Sequence, residues 1–299
     1  MNRLEAMAIL VKVAETGSLT AAARASKTPL PSVSRKLSEL EAHLGARLLS
    51  RTTRRIALTE AGAAYVEASR RILEEVEQAE RAVSGEFQTP RGELVIGAPI
   101  VFGRLHMTPV IAEFLRNFQE ISARLALSDR NADLVQDHID VALRIGALVD
   151  SPIRARRLGE VRRILCASPE YLARRGVPQS PEDLERHDGI VFETLDPRAP
   201  WAMGAHSAHP RRRLSVNTAD AALDAAIAGL GVTRALSYQA AEALADGRLV
   251  RLLTAFEPEP LPVHLLFEGR EPMPLKLRSF LDFAAPRLTL RLSVAHAAF

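Results

Sequence analysis

Over the first 90 residues the apolar positions recur at helical spacing. Leu4, Met7, Leu10, Val11 and Ala14 lie mostly three or four apart and predict a first helix that ends at Gly17. Ser18 is placed to cap a second helix over about Leu19–Ala25. After a short turn, Val33, Leu37, Leu40 and Leu44 are spaced 4, 3 and 4, the inward stripe of a third helix. Pro29 and Pro31 stand at its start, where a missing backbone donor costs little, and Gly45 stands at its end. Pro31, Arg35, Ser38 and Ala42 fall opposite the stripe, with Ser32 and Ser34 on its flanks. Two short apolar runs, at Leu48 with Leu49 and at 56–58, enclose the basic stretch Arg51-Thr52-Thr53-Arg54-Arg55 and predict a two-stranded wing. A fourth helix is expected over 59–87. Its narrow stripe of Tyr65, Ala68, Ile72, Val76, Ala79 and Val83 predicts self-association in the coiled-coil manner, with packing on its own domain as the alternative. Tyr65, Ile72, Val76 and Val83 are the expected dimer contacts.

Gln88-Thr89-Pro90-Arg91-Gly92 interrupts the helical pattern and reads as a linker. Beyond it the texture changes to short apolar runs alternating with helical segments. Strands are expected at 93–98, 123–128, 141–145, 162–167, 189–192, 214–216, 232–235 and 264–267. Helices are expected at 103–118, 131–137, 169–174, 220–228 and 274–285. This alternation predicts an α/β region with mainly parallel strands, long enough for two lobes.

Composition fits this division. A chain of 299 residues, 47% hydrophobic and 25% charged, has room for two or three globular domains. It has no apolar run of ~18 residues, so no membrane span or membrane partner is expected. Glu5, Lys12 and Glu15 interrupt the N-terminal apolar pattern, which is therefore an amphipathic helix and not a signal peptide. A single cysteine, Cys166, precludes an intrachain disulfide and favours the cytoplasm. The net charge of +3 is unevenly spread. Residues 1–62 carry ten Lys or Arg against five acids, a net of +5, which leaves −2 for the remainder. A basic small domain beside a near-neutral large one points to a polyanionic partner.

Other motifs point away from catalysis. Gly229-Leu230-Gly231 is followed by neither a further glycine nor Lys-Ser/Thr, so it is a helix stop and not a phosphate loop. Cys166 lies in an expected strand and belongs to the core. His206 and His209 have no third ligand near them in sequence, so neither a metal nor a cofactor is expected. Arg211-Arg212-Arg213 reads as a solvated or inter-subunit patch. No Gly-x-Ser-x-Gly nucleophile elbow occurs, and no enzymatic activity is expected.

The stretch from Ala21 to Gly62 carries several motifs in a fixed order. They are Val33-Ser34-Arg35, Leu40-Glu41-Ala42-His43-Leu44-Gly45, Leu48-Leu49-Ser50-Arg51 and Leu58-Thr59-Glu60-Ala61-Gly62. In these the chain resembles the LysR-type transcriptional regulators. Weaker matches continue at GAPIVFGRLHMTPVIAEF, at LSDRNADLVQDHIDVALRIG with Asp140 to Gly146 closing the third strand of a first lobe, and at ALDAAIAGLGVT. The resemblance implies an α/β protein in three parts. A winged helix-turn-helix occupies 1–58, and a long linker helix that dimerises occupies 59–88. A two-lobed effector domain like the periplasmic binding proteins occupies 89–299, with lobe I at about 92–160 and 268–299 and lobe II at about 161–267.

The function implied is a sequence-specific transcription regulator gated by a small molecule. The rival is a small-molecule-binding or enzymatic α/β protein with an accessory N-terminal DNA-binding segment. The partners implied are double-stranded promoter DNA, a small-molecule effector (an organic acid or an aromatic), further copies of the chain as a dimer and tetramer, and RNA polymerase. Expected DNA contacts are Leu30, Pro31, Ser32, Ser34, Arg35 and Ser38 on the reading helix, and Arg51, Thr52 and Arg54 on the wing. Arginine can meet guanine edges or phosphate, and serine can meet either. Leu30 stands where many relatives carry a polar residue, and it can contact a thymine methyl instead. Effector contacts implied by position are Pro99, Ile100, Val101, Phe102, Ser128, Arg144, Ile145, Asn217, Thr218 and Thr233. Helix N-termini at Phe102-Gly103 and Thr218-Ala219 would favour a carboxylate, whereas Ile100 and Val101 make the cleft more apolar. Thr218 as a helix cap and Arg144 as an ion-pair partner of Asp140 or another acid are the structural alternatives.

Overall fold

The computed structural model describes residues 2–51, 56–84, 89–130, 134, 137–148, 153–193, 201–203, 205–269 and 273–297. The chain forms two compact units, Met1–Gln88 and Thr89–Phe299.

The first unit contains α1 (Arg3–Thr16), α2 (Leu19–Ala25), α3 (Leu30–Leu44), the antiparallel pair β1 (Leu49–Arg51) and β2 (Ile56–Leu58), and α4 (Glu60–Ser84). Helix ends follow their punctuation. Gly17 and Gly45 terminate α1 and α3 in the left-handed region (φ 63° and 64°), and the Ser18 hydroxyl accepts the Ala21 amide at 3.4 Å. The core gathers Leu10, Val33, Leu37, Leu40, Leu48 and Val66. Leu4 and Leu44, expected inside, are 38% and 37% exposed. Helix α1 touches α2, α3 and α4 together, so Ala6, Ile9 and Val13 are buried as well and a single stripe underestimates its buried arc. Leu44 is the last residue of α3, and after the Gly45 turn Leu48 and Leu49 fill the core.

A polar clasp ties α3 to the wing and to α4. One oxygen of the Glu41 carboxylate accepts the amides of Leu48 (2.8 Å) and Leu49 (3.0 Å). The Thr59 hydroxyl donates to the Arg47 carbonyl (2.7 Å) and accepts the Gly62 amide (2.9 Å), while the Thr59 amide reaches the Leu48 carbonyl (3.0 Å). A Cβ on Gly62 would lie 2.0 Å from that carbonyl oxygen, so only glycine fits. Helix α4 lays Val66, Ser69 and Leu73 against this core. Tyr65, expected at a dimer seam, packs in part on its own domain because it borders that inward stripe. Ile72 is 38% exposed and Val76 is half-buried; the Val83 side chain lies outside the described residues.

The second unit holds two five-stranded sheets. The first lobe begins with β3 (Gly92–Ala98), a helical stretch of α5 (Ile100–Phe102), a π-helical turn (Gly103–Met107) and α6 (Thr108–Asn117), then β4 (Ile121–Leu127), β5 (Val141–Ile145) and β6 (Ile153–Val161). The second lobe follows with β7 (Arg163–Ala167), α7 (Pro169–Arg175), β8 (Asp188–Phe192), the hairpin β9 (Trp201–Met203) and β10 (His206–Ala208), β11 (Arg211–Val216), α8 (Ala219–Ile227), β12 (Val232–Leu236), α9 (Ser237–Ala245) and β13 (Val250–Leu252). The chain then returns through β14 (Leu261–Glu268) and α10 (Leu275–Ala297). Sheet orders are β4-β3-β5-β14-β6 and β11-β8-β12-β7-β13.

Both sheets are mixed, not mainly parallel. Strand β14 runs antiparallel to β5 and β6, and β7 antiparallel to β12 and β13. The chain enters the second lobe through β6 and β7 and comes back through β14, and a returning strand pairs in the opposite direction. Strand β14 therefore completes the first lobe, although the sequence reading assigns residues up to 267 to the second. Helix α9 escapes period analysis because it is only nine residues long and four of them are alanine, with Tyr238, Ala240 and Ala243 buried. Helix α10 continues through Pro286 where a stop near 285 is expected, since Leu288 and Leu292 beyond it are buried in the lobe I core. Of the helix expected at 131–137, all but Leu134 and Asp137 lie outside the described residues.

Gly62→Ala is expected to destabilise the first unit by about 1–3 kcal/mol, because backbone atoms must move to admit the methyl group. Denaturant unfolding of the full chain measures this; unchanged stability would contradict the close approach.

Candidate functional site

Helix α3 presents two chemically distinct faces. Val33, Leu37 and Leu40 are at most 1% exposed, whereas Leu30, Pro31, Arg35 and Ser38 face solvent, with Ser32 and Ser34 half-buried beside them. The Arg35 guanidinium lies 3.9 Å from the Glu39 carboxylate on an exposed surface, a tie too weak to hold it from a stronger anion. Lys36 is paired with Glu5 and braces α3 against α1. Thr52 and Arg54, the expected wing contacts, lie outside the described residues, as does the side chain of Arg51.

In the second unit a cavity of about 1320 Å³ is lined by both lobes. Of the ten expected effector contacts, Pro99, Ser128, Arg144 and Ile145 line it, and the other six do not. Val101 and Phe102 are 1% and 0% exposed in the lobe I core. The Thr233 hydroxyl is buried and donates to the Ile190 carbonyl at 3.1 Å. Thr218 caps α8 by accepting the Ala221 amide at 3.4 Å, and Asn217 is exposed beside it. The helical stretch begins at Ile100, ahead of the start expected at Phe102-Gly103, and the Ile100 amide donates to the Asp129 carboxylate at 3.1 Å, so this helix start already holds an anion from the protein. Arg144 does not pair with Asp140, whose carboxylate accepts the Val95 amide (2.8 Å) and lies 3.7 Å from Lys276 Nζ.

The cavity also brings in residues that sequence reasoning missed. Arg163 opens β7 and Arg234 lies in β12. Arg163 is opposite Leu236 and Arg234 opposite Leu165, so the two arginines share one sheet face as diagonal neighbours. Arg234 was legible as a lone cation within an apolar strand run, whereas Arg163 follows Arg162 at the edge of its run. Burial lowers the Arg163 pKa, and burial together with the Arg163 charge lowers that of Arg234 to about 10. The Arg234 guanidinium sits 5.0 Å from the centroid of the Trp201 ring, which also lines the cavity.

Aromatic and ionic contacts join the lobes. Phe102, His106 and Tyr238 form a ring cluster with centroids 4.9–5.5 Å apart, and Arg104 pairs with Asp220 at 2.9 Å. Neither nitrogen of His106 has a hydrogen-bond partner; burial, with a smaller contribution from Arg291, lowers its pKa to about 4. Burial likewise raises the pKa of Asp129, whose second oxygen is unpartnered.

Cys166 is fully buried, and burial pushes its thiol up to about 12, which leaves it protonated and unreactive. Among the described residues no group of three His, Cys, Asp or Glu could hold a metal ion. His206 pairs with Glu182. Of the arginine triplet, Arg211 and Arg213 lean on Asp188, which also holds Arg175.

Comparison with known proteins places these features in a family. Residues 4–63 match the bacterial regulatory helix-turn-helix family of lysR type, and residues 87–289 match the LysR substrate binding domain. The chain belongs to the LysR family of transcriptional regulators. An HTH-type transcriptional regulator of Xanthomonas campestris is 38% identical, covering 94% of this chain and 84% of that protein. An HTH-type transcriptional repressor of Pseudomonas aeruginosa is 34% identical, covering 95% and 91%. The solved structure of CrgA, a LysR-type regulator from Neisseria meningitidis, is 31% identical with a TM-score of 0.62, covering 95% and 98%. The LysR assignment accounts for both units, a DNA-binding helix-turn-helix and a substrate-binding domain. These relatives are named as regulators of transcription. No described helix is long and apolar enough to cross a membrane.

The depressed His106 pKa predicts a pH dependence. Its folded value lies below the ordinary 6.5, so its contribution to stability is complete above pH 6.5 and is lost as pH falls towards 4. Thermal unfolding should show a steeper fall in Tm between pH 6.5 and 4.5 for the native chain than for His106→Phe. His187 and His264, also depressed by burial, add the same slope to both. Equal slopes would contradict the assignment.

Proposed function

We propose that this LysR-type regulator reads promoter DNA with the outward face of α3 and responds to a small molecule held in the cavity of its second unit. The observation that carries the first half is the exposed face from Leu30 to Ser38, backed by a fully buried stripe. A helix so mounted can enter the major groove, where Arg35 reaches guanine or phosphate, Ser32, Ser34 and Ser38 meet base edges or backbone, and Leu30 with Pro31 contacts a thymine methyl. Arg51, Thr52 and Arg54 of the wing meet phosphate or the minor groove. The cavity, with Pro99, Ser128, Arg144 and Ile145 on its wall, receives the effector. The exposed Ile72 and the half-buried Val76 of α4 join two chains, and two dimers form a tetramer on the promoter. The protein acts in the cytoplasm, where DNA and RNA polymerase are present, and has no catalytic step of its own.

Arg35→Ala should weaken operator binding by roughly ten- to a hundredfold, in keeping with about 1–3 kcal/mol for a base-reading arginine. Arg212→Ala should leave it within about twofold. Operator titration at fixed salt makes the comparison, and equal losses would remove Arg35 from its role.

A further inference from the structure

Five arginines line the cavity, Arg124, Arg130, Arg144, Arg163 and Arg234, against two aspartates, Asp129 and Asp137. Their partners differ. Asp129 is engaged by the Ile100 amide, and Arg124 and Arg130 are solvent-exposed. Arg163 and Arg234 are not exposed, and neither has an ion-pair partner among the described residues. They stand diagonally on one face of paired strands, the residues opposite them, Leu236 and Leu165, are apolar, and among the described residues no carboxylate pairs with either one. Two like charges withdrawn from water at neighbouring positions oppose the fold unless an anion meets them. The Trp201 ring holds Arg234 from one side but carries no formal charge to balance it. Phe192, Ile145 and Leu261 make other parts of the cavity wall apolar.

We propose that the cavity takes a small organic anion, its oxyanion head bound by Arg163 and Arg234 and its apolar body set against Trp201, Phe192 and Ile145. This rests on the reading of the cavity as the effector site. It relocates the anion-binding chemistry from the helix starts expected at Phe102-Gly103 and Thr218-Ala219, where Asp129 and Thr218 of the protein already accept the leading amides, to two guanidinium groups on the second-lobe sheet. Arg144 on the first-lobe strand β5 supplies a third cation on the opposite wall, so an anion between them draws on both lobes. Carboxylates and phosphate monoesters share this oxyanion chemistry, and the fork of a guanidinium fits either.

The test uses the full chain and three probes of one shape: benzoate, phenyl phosphate and neutral benzamide, at matched ionic strength. Thermal unfolding and operator titration are read on the same samples. At least one of the two anions should raise the Tm while benzamide does not, and the responding anion names the head group. Arg163→Gln and Arg234→Gln should each weaken that anion's binding about tenfold or more. Without any anion their Tm should equal or exceed that of the native chain, since a like-charge neighbour has been removed. The proposal is overturned if neither anion raises the Tm, if benzamide stabilises as well as the anions, or if the anion effect survives in both variants. It is also overturned if both variants lose several degrees without ligand, which would make the arginines structural. An anion that binds without altering operator affinity supports this proposal and removes effector gating; benzamide alone altering operator affinity removes the anion and leaves gating.

Discussion

A charge taken out of water has to be met by another charge or by hydrogen bonds, and this requirement organises both units. In the first unit the Glu41 carboxylate is met by two backbone amides at the start of the wing. In the second, Asp140 is met by the Val95 amide and Lys276, Glu257 by a close contact with Arg251, and Asp188 by Arg175 and Arg211. Each pairing joins segments distant in sequence or different in kind. Arg163 and Arg234 depart from the pattern, and they do so on the wall of the large cavity.

The first unit shows how such pairings make a surface usable. The inward stripe of α3 is sealed against α1, and its C-terminal end is bound to the wing through Glu41, Thr59 and the close approach at Gly62. The helix is therefore held without using its outward side chains. Motif residues in this stretch divide accordingly: Glu41, Thr59 and Gly62 build the frame, while Ser34 and Arg35 are left on or beside the outward face. The tight Pro29-Leu30-Pro31 start adds two residues without a backbone donor at a helix end that needs none, and it leaves Leu30 41% exposed in that face.

Helices of the first unit were legible because one buried face leaves a periodic trace. The trace failed where burial is broader than a stripe, as in α1, and at Leu44, where the helix has already left the core. Strands of the second unit were visible as apolar runs, but a run carries no sign of its direction, so β14 and β7 were not expected to reverse the pairing. Helix α9 left little period because it is short and its alanines, at four of nine positions, mark no stripe. At the cavity, positions carried over by resemblance reach the wall where they lie at strand ends, as with Ser128, Arg144 and Ile145. Val101, Phe102 and Thr233 turned out to belong to the interior, and Thr218 to a cap. Arg234, a single arginine inside an apolar strand, was the stronger signal, because burying a cation is costly unless something answers it.

The central claim is that the basic first unit reads a particular DNA sequence on behalf of the whole chain. Its most direct test is the affinity of the full chain for a duplex from its own promoter and for a random duplex of equal length, each at two salt concentrations. The account predicts a clear preference for the promoter together with a steep fall in affinity as salt rises, the mark of released counterions. Equal affinity for the two duplexes at both salts would contradict it.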